Sequence, residues 1–152
     1  MLPADRPRVS EILRGTAEFK PFEVAVAEEL IDSYLDDPTG SGYRILVAEI
    51  DSTVTGYVCY GPTPLTEGTW DIYWMAVARP KQGQGIGSAL MKAAEKEIIG
   101  DKGRLVIIET SSTPEYEKTR RFHLGHGYET VARIPDFYAP GDDRLILRKR
   151  LR

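Results

Sequence analysis

The chain has 152 residues, 41% hydrophobic and 28% charged, the proportions of a water-soluble globular domain large enough for a real core. Its 20 Lys and Arg against 23 Asp and Glu leave a net charge of −3, which argues against a general nucleic-acid grip. One cysteine, Cys59, excludes an internal disulfide and a cysteine-based metal cluster, so a reducing compartment is expected.

In chain order, Pro3-Ala4-Asp5-Arg6-Pro7 supplies an N-cap and a proline within the first turn. Val9, Ile12 and Leu13 follow at helical spacing, so a short helix is predicted over residues 6–15. Pro21 opens a second helix, carrying Val24, Val26, Ala27, Leu30, Ile31 and Leu35, that stops at Asp36-Asp37-Pro38. Residues 43–50 read as a strand, Asp51-Ser52 as its turn and residues 54–61 as the hairpin partner. The densest β run is 70–77, where face alternation breaks near Trp74-Met75, the mark of a bulge that splays the strand.

A glycine-rich turn follows, then Ile86, Leu90, Ala94 and Ile98 in one helical stripe ending at Gly100. Residues 104–110 are an apolar strand, expected to be parallel and buried because a helix precedes it. Pro114 opens a further helix to about Leu124, closed by Gly125 and Gly127. Residues 128–134 and 145–151 form an antiparallel pair joined by a loop over 135–143. The basic run 144–152 is interleaved with Leu145, Leu147 and Leu151 and reads as a strand with one solvated face. No apolar run approaches the ~20 residues of a membrane span, and the N-terminus is not a signal peptide, so a cytoplasmic protein is expected.

The glycine turn carries the chemical signal. Gly83, Gly85 and Gly87 strip side chains from one side of it, so backbone amides can converge on a phosphate at a helix N-terminus. A Walker loop needs Gly-Lys-Ser/Thr, and Gly87-Ser88 lacks the lysine. A dinucleotide fingerprint needs a third glycine where Leu90 stands, although Glu109 sits near the expected ribose ligand. A third pattern fits without substitution: Gln82-x-x-Gly85-x-Gly87, after a strand ending Ala76-Val77 and before a helix. It resembles the acyl-CoA-binding loop of the GNAT superfamily of N-acetyltransferases.

The resemblance covers nearly the whole chain. It implies a mixed α/β fold with about six strands and four helices, a mostly antiparallel sheet with one splayed parallel pair, and one domain over 1–152. The family's strand before the first helix is missing or vestigial here. The co-substrate implied is acetyl-CoA, with no metal, and two histidines leave no metal site to expect. The backbone of Met75, Ala76 and Val77 would pair with the pantetheine arm, one freed N–H holding the thioester oxygen. Amides of Gln82, Gly83, Gln84, Gly85, Ile86, Gly87 and Ser88 would take the diphosphate. Arg79, Lys81, Lys118, Arg120 and Arg121 are the cations available for the 3′-phosphate.

The resemblance also assigns chemistry, with departures. Asp71 stands six residues before Val77, where histone-acetylating members carry a glutamate base; Tyr73 shares its face in a regular strand, and Glu109 is the second carboxylate. Many members carry Asn-x-x-Ala-x-x-Phe/Leu-Tyr on the late helix. This chain has Tyr116-Glu117-Lys118-Thr119-Arg120-Arg121-Phe122-His123, so Tyr116 replaces the asparagine on the cofactor side and His123 the tyrosine acid. His123 is then either an imidazolium acid, whose loss would remove a limb of the pH–rate profile near neutrality, or a surface histidine. His126 is read as structural filler, and Cys59 as a packed strand residue rather than a nucleophile.

The expected reaction is direct attack of an amine on the thioester, with no acyl-enzyme. An aromatic-walled cleft with Trp70, Trp74, Tyr73, Tyr57 and Tyr60, bordered by Asp136, Phe137, Tyr138, Asp142 and Asp143, would draw a cationic amine. A small amine or amino acid is preferred over a protein N-terminus or lysine. The rivals are a non-catalytic acyl-CoA sensor and a dinucleotide-binding protein. Exposed sheet edges and the resemblance both point to a homodimer; neither nucleic acid nor membrane is expected as a partner.

Overall fold

A computed structural model describes residues 1–151; Arg152, the end of the predicted basic strand, lies outside them. Two helices come first, α1 (Arg6–Arg14) and α2 (Pro21–Asp36). Three strands follow: β1 (Arg44–Ile50), β2 (Thr53–Pro62) and β3 (Thr69–Val77). Then come α3 (Ile86–Gly100), β4 (Leu105–Ser111), α4 (Glu117–Gly125), β5 (Glu129–Ala139) and β6 (Asp142–Arg150). The strands form one sheet in the order β1-β2-β3-β4-β6-β5, antiparallel throughout except for the β3/β4 pair. This is the expected mixed α/β architecture, and among the described residues no strand precedes α1. Among the described residues no helix is long and apolar enough to cross a membrane.

Two cores sandwich the sheet. On one face Val9 and Leu13 of α1 and Ala27 and Ile31 of α2 pack against Tyr57, Cys59 and Ala76. On the other, Leu90, Met91, Ala94 and Ile98 of α3 pack against Val58, Tyr60, Trp70, Val106 and Leu147. Eight consecutive residues of β2 are buried because both layers press on it. Each fully buried apolar side chain contributes about 1.5–3 kcal/mol, so covering both faces of this central strand anchors the domain.

Three details position the site. The β1–β2 turn places Asp51 and Ser52 at φ 50° and 64°, the paired left-handed geometry of a two-residue hairpin. In β3, Cys59 faces Trp74 and Tyr60 faces Ile72, which leaves Tyr73 without a partner on β2. That extra residue is the bulge, one position before the break read from the sequence. It switches the parity of the strand: Trp70 and Ile72 face α3 before it, and Met75 and Val77 do so after it. Third, residues 135–143 are not a loop. Both strands extend through them to a tight turn at Gly141 (φ 80°), held by Asp143, which accepts the Asp136 N–H, and Asp136, which accepts the Gly141 N–H, each at 2.8 Å.

One charged group is buried beneath α3. Glu95, 8% exposed, accepts a hydrogen bond from Tyr128 at 2.8 Å and from Lys149 Nζ at 2.9 and 3.0 Å. Removing it strands a phenol and an ammonium in partly dry surroundings. Glu95→Ala should lower stability by about 2–4 kcal/mol in urea denaturation, and Glu95→Gln, which keeps an acceptor, by about half as much.

Candidate active site

β3 and β4 pair only from Thr69–Leu105 to Ile72–Ile108. Beyond that the strands part, and the edge of β3 from Tyr73 onward has no partner on the β4 side. A cleft of about 780 Å³ opens there. Its floor is Asp71, Tyr73, Trp74 and Met75 of β3 with Glu109, Thr110 and Ser111 of β4. One wall is the α1–α2 connection and the start of α2: Glu18, Phe19, Phe22, Glu23 and Val26. The opposite wall is Tyr116, Thr119 and His123, and the far end is Tyr138, Ala139 and Asp142. Tyr116 reaches across to donate to Glu23 Oε2 at 2.6 Å, tying α2 to the segment that opens α4.

Among the described residues six carboxylates line this cleft, Glu18, Glu23, Asp71, Glu109, Glu115 and Asp142, against one cation, Lys20. Such a lining attracts a cation and concentrates it locally. The carboxylates are not equivalent. Glu109 is ion-paired with Arg144, and Asp142 accepts from Ser111. Asp71 has no ion-pair partner among the described residues; it accepts from Thr63 at 2.5 Å. Burial pushes its carboxyl above the ordinary range, assisted by the charge of Glu109 and opposed by the hydroxyls of Thr63 and Tyr73. Tyr73 itself is pushed up to about 12 by burial and the charge of Asp71.

His123 is not a surface residue. It is 4% exposed, its Nδ1 is buried without a hydrogen-bond partner, and burial lowers its pKa to about 4. The ring is therefore neutral at pH 7, which overturns the surface alternative and removes the imidazolium limb expected near neutrality. Burial pushes the Tyr116 phenol upward, and its hydrogen bond to Glu23 adds to the shift, so it stays protonated.

The glycine turn follows from the open end of β3. Gly83 (φ 77°) and Gly85 (φ 82°) hold left-handed backbone, which a side chain would strain. Gly87 serves differently: a Cβ there would lie 3.3 Å from the Phe122 ring, so it lets α3 approach α4. The Gln82 N–H is already engaged with Arg79 O at 3.3 Å, and its side chain donates to Val77 O at 3.1 Å. From Gly83 to Ser88 no amide donates within the turn; the first to do so is Ala89, to Gly85 O at 3.0 Å. A run of free amides at the N-terminus of a 15-residue helix suits a diphosphate. Ile86 contributes only its amide, its side chain being buried in the core.

The structure thus brings Asp71, Tyr73, Trp74, Met75, Glu109, Tyr116, His123 and Tyr138 to one cleft. Other expected residues lie elsewhere. Trp70 is core, 5% exposed, stacked near Tyr60 and beneath the Arg44 guanidinium, because the parity before the bulge turns it toward α3. Tyr57 and Tyr60 are fully buried. Ala76 and Val77 offer backbone alone. Asp136 pins the β5–β6 turn, and Phe137, outside the cleft, lies under the Arg144 guanidinium and meets the Tyr138 ring edge to face. Arg120 clamps the carbonyls of Ser111 and Thr113 at 2.8 Å, and Arg121 pairs with Glu117. The sequence reading missed Glu18, Phe19, Phe22, Glu23 and Val26. A signal existed: Phe22 and Val26 stand one turn apart, off the α2 stripe of Val24, Ala27 and Ile31, and both are exposed.

An opened parallel pair, a free-amide turn leading into a helix, and a carboxylate cleft beneath them define the class. The chain belongs to the GNAT acetyltransferase family, whose domain matches residues 41–130. It is similar to an uncharacterized N-acetyltransferase of Methanocaldococcus jannaschii, 30% identical over 105 residues, which covers 68% of this chain and 64% of the length of that relative. Among solved structures it resembles a protein of the GNAT family from Desulfovibrio desulfuricans, with a TM-score of 0.96 and 40% identity over 99% of this chain and 95% of that one. It shares its fold with an aminoglycoside 6'-N-acetyltransferase complexed with coenzyme A, at a TM-score of 0.75 and 19% identity over 97% of this chain and 91% of that one.

Cys59 sits in the core against Tyr57, and burial pushes its thiol up to about 12. A disulfide-exchange reagent at about pH 8 should leave it unmodified in the folded protein and modify it fully in denaturant. Rapid reaction in the native state would contradict this packing.

Proposed function

We propose that this protein transfers the acetyl group of acetyl-CoA to the primary amine of a small cationic acceptor. The observation that carries the reading is the cleft at the β3–β4 opening, acidic on the acceptor side and continuous with a β3 edge that has no partner strand. When bound, acetyl-CoA supplies an activated acyl carbonyl. The amides of residues 83–88 hold its diphosphate, with Lys118 and Gln82 beside them, and the bare edge of β3 from Tyr73 to Val77 receives the pantetheine arm.

Asp71 is the base. Ammonium acceptors must lose a proton: an α-amino group at about pKa 7.8 lies ~1 kcal/mol from neutral at pH 7, and an alkyl amine near 10.4 over 4 kcal/mol. A carboxylate raised above its usual range accepts that proton more readily than an ordinary one, directly or through water. Glu109, neutralised by Arg144, positions that guanidinium instead. An N–H freed at the Tyr73 bulge holds the carbonyl oxygen as charge develops. Neutral His123 donates a hydrogen bond toward the departing sulfur, whose conjugate acid near pKa 8.5 needs modest help. Phe19, Phe22, Trp74 and Tyr138 hold the acceptor's apolar part, and Glu23, fixed by Tyr116, takes a further positive group. The homodimer expected from open sheet edges would pair through β5, exposed along all 11 residues; the cytoplasm is the proposed compartment.

The test is thiol release from acetyl-CoA across amino acids, diamines, aminoglycosides and peptides, with binding of CoA followed by calorimetry. Activity with small cationic amines is expected; CoA binding without release from any amine would leave an acyl-CoA sensor. Asp71→Asn should lower kcat/KM by about 10²-fold or more and abolish the rise in rate as pH climbs through the raised carboxyl pKa. His123→Phe should lower kcat while leaving the profile near neutrality unchanged in shape, because the group it removes titrates at about 4. Glu23→Gln should raise the acceptor KM about tenfold for dicationic amines and leave that for acetyl-CoA unchanged.

A further inference from the structure

His126 and Ser88 lie outside the cleft; His126 has no part in the chemistry above, and Ser88 enters it only through its backbone amide. His126 is the C-cap of α4, and its Nδ1 is 2.7 Å from the carbonyl oxygen of Phe122. Its Nε2 is 2.7 Å from the hydroxyl of Ser88, in the first turn of α3. These two contacts determine where the protons are. A carbonyl oxygen has no hydrogen to give, so Nδ1 carries one. In the neutral ring Nε2 is then a bare acceptor, and the Ser88 hydroxyl must aim its hydrogen at it. The hydroxyl thereby has no hydrogen left to offer an anion at the helix end whose free amides favour one. Protonation of Nε2 reverses the bond. The ring N–H donates to Ser88 Oγ, and the serine hydrogen is released to a phosphate oxygen.

We propose that His126 is a positioning residue for the diphosphate of coenzyme A, and that it takes up a proton as that diphosphate binds, freeing the Ser88 hydroxyl to act as a donor. The inference rests on the glycine turn being the coenzyme A site. The surroundings leave His126 without a counter-ion of its own. On α4, His123 is kept neutral by burial, Arg120 is bonded to two carbonyls, Arg121 pairs with Glu117, and Lys118 is bonded to Gln82 of the turn. On β6, Lys149 runs beside Gly127 and is already paired with Glu95 of α3. The Phe122 ring covers the imidazole at 4.3 Å. No carboxylate among the described residues lies within ion-pair distance, so a bound diphosphate would supply the counter-ion that the imidazolium lacks.

The experiment is calorimetric titration of the whole protein with 3′-dephospho-CoA, which lacks the phosphate monoester that titrates near neutrality, in two buffers of different ionisation heat. Uptake of a fraction of a proton at about pH 7.5 is expected, with affinity about tenfold weaker at pH 8.5 than at pH 6. His126→Gln keeps an N–H for Ser88 without titrating. It should bind with no proton uptake, at an affinity within about threefold of the wild type at pH 6. His126→Phe should lose about tenfold at pH 6 and also take up no proton. A merely structural histidine would lower thermal stability in both variants and leave the proton count unchanged, which would overturn the inference. Binding by the wild type without proton uptake overturns it as well, and leaves the cofactor site standing. No binding of coenzyme A at any pH removes the cofactor site and this inference together.

Discussion

The parallel ladder between β3 and β4 ends after Ile72 and Ile108, and the arrangement of the site depends on that early stop. A continuous ladder would occupy the β3 edge with hydrogen bonds to its neighbour and close the space between the strands. The extra residue at Tyr73 bends β3 away and changes which side chains face which core. The backbone groups so released are polar and need partners, which makes them suited to an amide-bearing arm lying alongside. Packing keeps the opening in place: β2 is buried on both faces, so the bulged strand is anchored on its other side.

Electrostatics divides the cleft by role. Carboxylates crowd one region, yet each is handled differently by its surroundings. Arg144 neutralises Glu109, Ser111 holds Asp142, Tyr116 fixes Glu23, and Asp71 is left half-buried with hydroxyl donors alone. Burial acts in opposite senses on the two groups nearest the expected chemistry. It raises the carboxyl of Asp71 and keeps His123 uncharged. In the proposed reaction, the carboxylates that would draw an ammonium in therefore differ in what they could do once it is bound.

The glycine turn shows that one motif can meet several needs. Gly83 and Gly85 are there for backbone conformation, Gly87 for the closeness of α3 to the Phe122 ring, and Ser88 for a hydroxyl coupled to His126. A spacing pattern detects all of them together because each change would disturb the same helix N-terminus. It cannot separate their reasons, since those depend on what α4 places against the turn.

Local features of the sequence carried much of the fold. Proline at helix starts, apolar stripes at a spacing of three and four, and the glycine punctuation placed α1, α2 and α3 and the first four strands to within a residue or two. Asp71, Tyr73, Met75, Tyr116 and His123, singled out in the sequence, line one cleft, because strand register and helix spacing carry a side chain's position along the chain. Other features had to wait for the tertiary structure. Trp70 went to the core because a one-residue bulge reverses parity, and β5 and β6 ran on through 135–143 because Asp143 accepts the Asp136 N–H and Asp136 that of Gly141. Phe22 and Glu23 joined the site from a helix some 50 residues upstream of β3 in the chain. Periodicity within a segment states which face is apolar; which other segment meets that face, and how far it dries a titrating group, is decided only by packing across the whole sheet.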